Sequence, residues 1–285
     1  MRYLPLYEAK MMNLYDHRFA TYEGATGMSL PAVTDAQHDD PSYEPLPRYW
    51  VAEEEVEAAL GDGWDSEHLF GWRWITASTN ERTFVSGFFP EGGAGNSYVA
   101  VRSEPGTSIA LQSVWSSLML DFLARQKLSG SNMAYFIVKQ FACPPPSTFD
   151  ATPDWLDQPL SAWLTPRVLE LTFTSYALAG LARESGDDGA PFRWVPPRRQ
   201  QIRAELDAAM FHVFGLDRDE VEHVLGTFTV MNKYDMAEYG DLRTTSLVLT
   251  YYDRMAAASQ SGVPYETTID PAPGRGPRHE SAVQR

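Results

Sequence analysis

The sequence predicts an α+β protein, in which a mixed α/β region comes first and a helical region follows. Before about residue 145, short strand-like runs alternate with turn-forming segments, and after it one helix start follows another. A chain of 285 residues with 44% hydrophobic content can bury at least one substantial core. We therefore expect an α/β domain over residues 1–145, a helical subdomain over 146–260, and a disordered Pro/Gly-rich tail over 261–285.

The first region carries most of the expected strands. A short acidic helix is predicted at residues 51–60, where Gly61 ends it. Strands are expected at residues 69–77, 82–89 and 97–101. The last two are separated by the segment PEGGAGN, a composition typical of a hairpin loop, so we expect those two strands to pair.

The rest of the first region alternates between helix and strand. Apolar residues at helical spacing predict a helix over 108–127, ended by Gly130, and the run 133–138 is expected to be another strand. The proline run 144–146, directly after Cys143, predicts a linker.

Helix caps dominate the second region. A helix is expected from Thr165 and Pro166 to about Ala182, because a capping residue precedes a proline in the first turn. A second begins at Pro196 and ends near Gly215. Two more follow, one introduced by a capping box of Asp217 with Glu220 and one over residues 241–258.

The negative charge is unevenly distributed. The formal net charge is −15, yet residues 35–67 hold eleven acids against the single base Arg48, which leaves only −5 for the rest of the chain. Residues 190–203 carry four arginines and no acid. The total argues against indiscriminate phosphate binding over the whole surface. It allows a locally basic face, from which we expect residues 35–67 to point away.

Cysteine content and hydropathy bear on the compartment. The single Cys143 excludes an intrachain disulfide. No run approaches the roughly 18 apolar residues of a membrane span, and residues 1–5 do not resemble a signal peptide. We expect a cytoplasmic protein that does not contact a membrane.

No catalytic motif or metal site is predicted. Residues 270–276 resemble the glycine-rich turn that binds S-adenosylmethionine, but only nine residues follow Gly276, too few for the helix and strand that this turn requires. The Asn/Asp-Pro-Pro-aromatic motif of adenine methylation is missing at both double prolines. Glu8-Ala9-Lys10 lacks the upstream Asp of a nuclease motif, and the histidines lack zinc-ligand spacing.

Several basic and amide side chains are of the types that contact DNA. Arg and Lys bind phosphates, Arg also reads guanine, and Asn and Gln read adenine. On spacing alone, such residues are more often helix-terminal or turn residues than nucleic-acid ligands. The candidates lie at the ends of predicted elements and are Arg73, Asn80, Arg82, Thr83, Arg125, Lys127, Asn132, Lys139 and Gln140.

The order of several short segments resembles a known family. The chain is similar to the target-recognition region of large adenine-specific DNA methyltransferases, found in type IIG restriction–modification and related phage-defence systems. The matching segments occur in order over most of residues 3–250, at 4–12 (LPLYEAKMM), 16–22 (DHRFATY), 71–75 (GWRWI), 79–83 (TNERT), 95–96, 121–127 (DFLARQK) with Gly130, 136–140 (FIVKQ), 203–207, 214–216 and 227–244.

This resemblance implies a recognition domain and a helical closing segment that hold duplex DNA against a separate methylase core, which would bind S-adenosylmethionine. Arg73, Arg82, Arg125, Lys127 and Lys139 then become candidate phosphate contacts, and Asn80, Asn132 and Gln140 become candidate positioning or base contacts. The core motifs are expected upstream, so the chain resembles the C-terminal part of a larger enzyme, a split subunit or a truncated product. Alternatives are a protein-interaction subunit of such a complex without its own DNA affinity and a hydrolase that uses carboxylates from 35–67.

Overall fold

A computed structural model describes residues 1–27, 29–64, 66–103 and 105–280, and it has the predicted mixed α+β fold. Within these residues, six strands form two small sheets of three strands each. The strands are β1 (Tyr3–Tyr7), β2 (Tyr49–Ala52), β3 (His68–Arg73), β4 (Ser86–Pro90), β5 (Gly93–Ala94) and β6 (Tyr98–Val101).

The first sheet has the order β2-β1-β5. Strand β1 runs antiparallel to β2, with Leu4 opposite Val51, and parallel to β5, with Leu6 opposite Gly93. The sheet joins the second one through stacked rings, since Tyr7 lies 4.4 Å from Phe89 between ring centroids.

The second sheet has the order β4-β3-β6, with β3 antiparallel to both neighbours. The predicted pairing of the second and third strands as a hairpin is therefore wrong, because β3 lies between them. The segment that was expected to be a simple hairpin loop between β4 and β6 contains β5, which pairs with β1 in the first sheet. Gly71 lets β3 and β6 approach closely, because a Cβ at this position would collide with the carbonyl oxygen of Val99.

Twelve α-helices occur within the described residues. They are α1 (Asp35–His38), α2 (Glu53–Leu60), α3 (Pro105–Trp115), α4 (Leu118–Lys127), α5 (Tyr135–Val138), α6 (Ser147–Asp150), α7 (Leu160–Thr172), α8 (Ala179–Glu184), α9 (Pro196–Val213), α10 (Arg218–Gly226), α11 (Thr229–Tyr239) and α12 (Arg243–Ser261).

Two helix predictions are confirmed at their starts. Helix α9 begins at Pro196, and α10 follows a complete capping box in which Asp217 accepts from the backbone of Glu220 and the Glu220 side chain accepts in return. The predicted helix over 108–127 is instead two helices, because the Ser117 side chain caps the start of α4 by accepting from Leu120 N.

The helix expected from Thr165 to Ala182 is also divided. Helix α7 starts at Leu160, so Pro166 lies inside it rather than at its first turn, and it ends at Thr172 before α8.

The strand predicted at residues 133–138 is wrong. Pairing stops at an isolated bridge between Ile75 and Asn132, and the chain then forms the short helix α5, in which Val138 N donates to Ala134 O at 3.2 Å. This turn buries Ile137 while Tyr135 and Phe136 remain 56% and 65% exposed. Asn132, Lys139 and Gln140 therefore flank a helical turn instead of a strand.

One hydrophobic cluster joins the two predicted regions, since it contains buried residues from Tyr7 to Ile269. Helix α9 packs against α3 and α4 from the first region and against α7 and α12 from the second. No helix within the described residues combines the length and apolarity needed to cross a bilayer.

The tail differs from the predicted disordered segment over residues 263–280, because side chains there are buried in the body. Tyr265 and Ile269 are only 8% and 4% exposed. Tyr265 N donates to Trp155 O at 2.8 Å, and its hydroxyl donates to Glu205 Oε1 at 2.7 Å. The Pro/Gly-rich composition of this tail thus did not prevent it from packing on the body. Residues 281–285, which belong to the predicted tail, lie outside the described residues.

Candidate nucleic-acid interface

A cleft separates the end of β3 and the following turn from helix α9. It consists of two adjoining pockets of about 420 Å³ and about 630 Å³. We call the smaller one the Arg73 pocket and the larger one the Asp235 pocket, because each of these residues lines one pocket and not the other. The residues common to both pockets are Glu81, Arg82, Trp194, Arg199, Arg203 and Tyr234. We call the whole depression the arginine cleft.

The turn over residues 80–84, which carries Arg82, is fixed by a buried carboxylate. Asp121 Oδ1 accepts from Thr83 N at 2.7 Å and from Phe84 N at 2.6 Å. Its other oxygen accepts from Arg125 Nε at 3.0 Å. Because Asp121 is fully buried in α4, this arrangement holds the turn against that helix.

Arg125 completes the support of the same turn. Its Nη2 donates to Glu81 O at 2.7 Å and to Asn80 O at 3.2 Å, and its guanidinium lies 4.2 Å from the Phe228 ring centroid. A guanidinium used in this way has few donors left for a phosphate. Arg125 therefore positions the turn rather than facing the cleft.

Arg73 and Arg82 line the cleft with donors that have no partner. The Nε and Nη2 atoms of Arg73 and the Nε of Arg82 are buried without a hydrogen bond among the described residues. Arg82 is 8% exposed and is anchored by Nη2, which donates to Ser116 O. Burial lowers the pKa of Arg73 to about 10, against the charge of Asp16, and this value still leaves the guanidinium charged at neutral pH.

Helix α9 brings two further arginines to the cleft, one turn apart. Arg199 donates to Leu171 O at 2.6 Å and to Tyr15 O at 3.0 Å. Arg203 is half-buried and makes no hydrogen bond or ion pair within the described part of the chain. Neither was among the predicted site residues, although the acid-free arginine run 190–203 was visible in the sequence and could have indicated them.

Trp194 at the cleft edge is held between two cationic or titratable groups. One ring face stacks on His38 at a centroid distance of 3.9 Å, and the other lies 3.6 Å from the Arg199 guanidinium. His38 also contacts Asp16, with Nε2 at 3.2 Å from Oδ2. Burial alone would raise the pKa of Asp16, but the hydrogen bond and charge of His38 lower it overall.

A second group of predicted residues surrounds α5, and we call it the Tyr135 surface. It contains the exposed side chains Ile75, Tyr135 and Phe136, which are 56–65% exposed. It adjoins the cleft through the backbone, because Trp74 O accepts from Met133 N at 2.6 Å just after Arg73. The predicted residues on this surface are Asn132, Lys139, whose Nζ lies 4.4 Å from the Tyr135 ring centroid, and Gln140, which donates to Phe136 O at 3.0 Å.

The nine predicted residues thus divide into three sets and one separate residue, Lys127. Arg73, Asn80 and Arg82 line one pocket together. Asn132, Lys139 and Gln140 lie on the Tyr135 surface, while Lys127 is exposed at the end of α4. Thr83 and Arg125 are engaged within the chain, since Thr83 is 1% exposed and its hydroxyl contacts Ala77 O at 3.4 Å.

The acidic segment contributes none of its described residues to the lining of either pocket. It does reach the back of the cleft lining through His38, which stacks on Trp194 and contacts Asp16, and through Asp39, which pairs with Arg193 beside Trp194. Elsewhere it is bound to the first sheet through Glu53, which accepts from Arg2 Nη1 at 2.6 Å, and to α8 through Glu67, which pairs with Arg183 at 2.7 Å.

Comparisons with known proteins add no relative to this description. No family model matches the chain, and neither the curated proteins nor the solved structures contain a significant match to it.

Proposed function

We propose that this chain is the DNA target-recognition part of a site-specific adenine-N6 DNA methyltransferase of the restriction–modification or phage-defence type. The observation that carries the proposal is the convergence of Arg73, Asn80 and Arg82, each predicted from sequence, on one cleft. Arg199 and Arg203 add two more guanidinium groups there. Guanidinium groups are the preferred protein partners of phosphate oxygens, because their planar donors bind two oxygens at once.

The Tyr135 surface would extend the contact beyond the cleft. Its exposed side chains are mainly aromatic and basic or amide, the composition that suits contact with a phosphate backbone and with bases. The methyl transfer and the binding of S-adenosylmethionine would belong to a methylase catalytic domain or subunit that works with this chain. We propose that the chain binds duplex DNA and that it acts in the cytoplasm.

The test is a fluorescence-anisotropy titration of the full chain with a duplex that has 5′-hydroxyl ends. We expect the affinity to fall steeply between roughly 50 and 200 mM salt, since each neutralised phosphate contributes about one unit of log–log slope. The double variant Lys127→Glu with Lys139→Glu should weaken binding at least tenfold and flatten the slope. Arg254→Glu, which changes a charge on α12, is the control and should bind like the unmodified chain.

Binding that is absent or insensitive to salt would contradict the proposal. The alternative function is a protein-interaction subunit without DNA affinity. A second set of exposed apolar side chains favours it. These side chains lie on β1, on β2 and in the loop before β2, and they are Tyr3, Leu46, Tyr49 and Trp50, which are 48–56% exposed. Capture of a methylase chain without measurable DNA binding by the complex would support that alternative.

A further inference from the structure

The Arg73 pocket has an excess of positive charge on its floor. Four arginines line it, namely Arg73, Arg82, Arg199 and Arg203, whereas its only acidic lining residues among those described are Asp16 and Glu81. Asp16, which also contacts His38, and Glu81 can offset at most two of these four charges. The pocket therefore retains an uncompensated positive charge in a partly desolvated site.

Unused hydrogen-bond donors belong to arginines that line this same pocket. A buried donor without a partner destabilises the fold, so such groups in folded proteins normally meet a water or an ion. Three such donors have no partner among the described residues, namely Nε and Nη2 of Arg73 and Nε of Arg82. The Arg82 side chain is more than nine-tenths buried, so bulk water does not satisfy its donor. Arg203 makes no hydrogen bond or ion pair with a described residue either, although its charge acts on Asp207 one helical turn away. These donors belong to three arginines of one pocket and lack only an acceptor.

The rim limits what can accompany such an acceptor. Trp194 cannot stack on a ligand, because His38 and Arg199 already cover its two faces. Phe19 and Tyr234 line the pocket and are 37% and 55% exposed, so both can contact an organic group. The Asn80 side chain is exposed beside them.

The neighbouring Asp235 pocket is less suited to an anion. It shares Arg82, Arg199 and Arg203, but its own lining adds the acids Asp207, Asp235 and Glu238. These three carboxyl groups add negative charge that the Arg73 pocket does not have. An anion would therefore favour the Arg73 side of the cleft.

We propose that the Arg73 pocket binds a phosphate monoester, either the phosphate of a free nucleotide or the terminal phosphate of a polynucleotide. A monoester presents three oxygens and one substituent, so it can enter far enough to meet buried donors while its organic part remains at the rim. An internal phosphodiester of a duplex carries a nucleoside on each side and presents fewer free oxygens. This site goes beyond the proposed function, because contact with internal duplex phosphates does not require it.

Isothermal titration calorimetry of the full chain tests the site. The ligands are inorganic phosphate, a nucleoside 5′-monophosphate, the same nucleoside without phosphate, and a duplex with either 5′-phosphate or 5′-hydroxyl ends. We expect the monophosphate to bind at least tenfold more tightly than the nucleoside. Tighter binding of the 5′-phosphate duplex than of the 5′-hydroxyl duplex would identify a polynucleotide end as the source. Equal binding of the two duplexes, beside tight binding of the monophosphate, would identify a free nucleotide.

The variant Arg203→Gln should weaken monophosphate binding at least tenfold. Arg203 is the best position because its half-buried side chain supports no other described group by a hydrogen bond or ion pair, so the fold should persist. Arg218→Gln, on α10 and outside both pockets, is the control and should bind normally. Phosphate should also raise the melting temperature of the unmodified chain and of Arg218→Gln, but not of Arg203→Gln.

Equal binding of nucleoside and monophosphate, or unchanged binding by Arg203→Gln, would overturn the inference. The outcome is separable from that of the proposed function. If the 5′-hydroxyl duplex binds with a steep salt dependence while monophosphates do not bind, the monoester site is wrong and the DNA-recognition proposal stands. If monophosphates bind and that duplex does not, the reverse holds.

Discussion

At the scale of single residues, buried arginines elsewhere in the chain are used differently from Arg73. The fully buried Arg18 donates to the carbonyl oxygens of His38, Asp40 and Thr174 at 2.6–2.9 Å. Arg167 donates to Glu205 Oε2 at 2.8 Å. These groups tie segments together, as the cost of burying a charge requires. The Arg73 guanidinium donates no hydrogen bond to a described residue and only faces the Phe19 ring at 5.6 Å, which favours a ligand-binding role for it.

Another buried residue makes stability depend on pH. Burial lowers the pKa of His68 to about 4, outweighing the charge of Glu67. An unfolded histidine has its ordinary pKa near 6.5, so between about pH 6.5 and 4 the unfolded chain binds a proton that the folded chain does not. The free energy of unfolding must therefore fall as the pH decreases through this window and is unaffected by His68 above it.

We expect His68→Gln to remove this part of the pH dependence. Between pH 7 and pH 5, the unmodified chain should lose about 2 kcal/mol more unfolding free energy than the variant. Urea titrations at the two pH values measure the difference. His223→Gln, which changes an exposed histidine on α10, should keep the dependence of the unmodified chain. Identical pH profiles for His68→Gln and the unmodified chain would show that His68 does not bind its proton differently on folding.

The site could be predicted from sequence only in part. Arg73, Asn80 and Arg82 lie at the ends of one strand and its following turn, where local patterns are informative. Arg199 and Arg203 reach the same pocket from a helix far along the chain, and only tertiary packing brings them there. Arg125 has the right chemistry but supports the turn through Glu81 O, which no local pattern reveals.

At the scale of elements, the same distinction holds. Helix starts with strong local chemistry were predictable, as for α10 with its capping box. The segment 133–138 has strand-like composition, yet it forms α5. Residues 74–76 hydrogen-bond to the backbone of Ser131 and Met133 only, so the chain after Met133 has no strand to pair with there. Strand composition is a weak guide where tertiary pairing decides. The tail was also mispredicted, since composition does not reveal a matching groove in the body.

Tyr265 is the main polar anchor of that tail. Its hydroxyl donates to Glu205, a fully buried carboxylate that also pairs with Arg167. We expect Tyr265→Phe to lower the free energy of unfolding by about 1.5–3 kcal/mol, the usual value for a hydrogen bond to a charged group. It should also speed proteolysis within residues 263–280.

Tyr176→Phe is the matched control for the tail, because it removes the same atom from a hydrogen bond to Glu280 O at the surface. Its effect on unfolding in urea should be under about 1 kcal/mol. If Tyr265→Phe were no more destabilising than Tyr176→Phe, the buried carboxylate would not depend on the tail for its hydrogen bonding.

At the scale of the whole molecule, the charge distribution bears on the proposed DNA binding. The acidic segment 35–67 holds most of the net −15, yet no described residue of it lines the arginine cleft. Its helix α2 packs on the first sheet against β1 and β2. At physiological salt, exposed charges more than about 8 Å apart are largely screened from each other. A globally acidic chain can therefore present a basic face to DNA.

The acidic helix provides the sharpest test of this arrangement. Glu54, Glu55 and Glu57 are exposed on α2, and replacing all three by Gln removes three negative charges. If α2 lies away from bound duplex, screening should keep the affinity at about 0.15 M salt within roughly twofold of the unmodified value. Some loss of thermal stability is expected, because acids in the first turn favour a helix N-terminus. An affinity increase of tenfold or more would instead mean that the acidic segment lies beside the DNA, and the arginine cleft and Tyr135 surface could not then be the binding face.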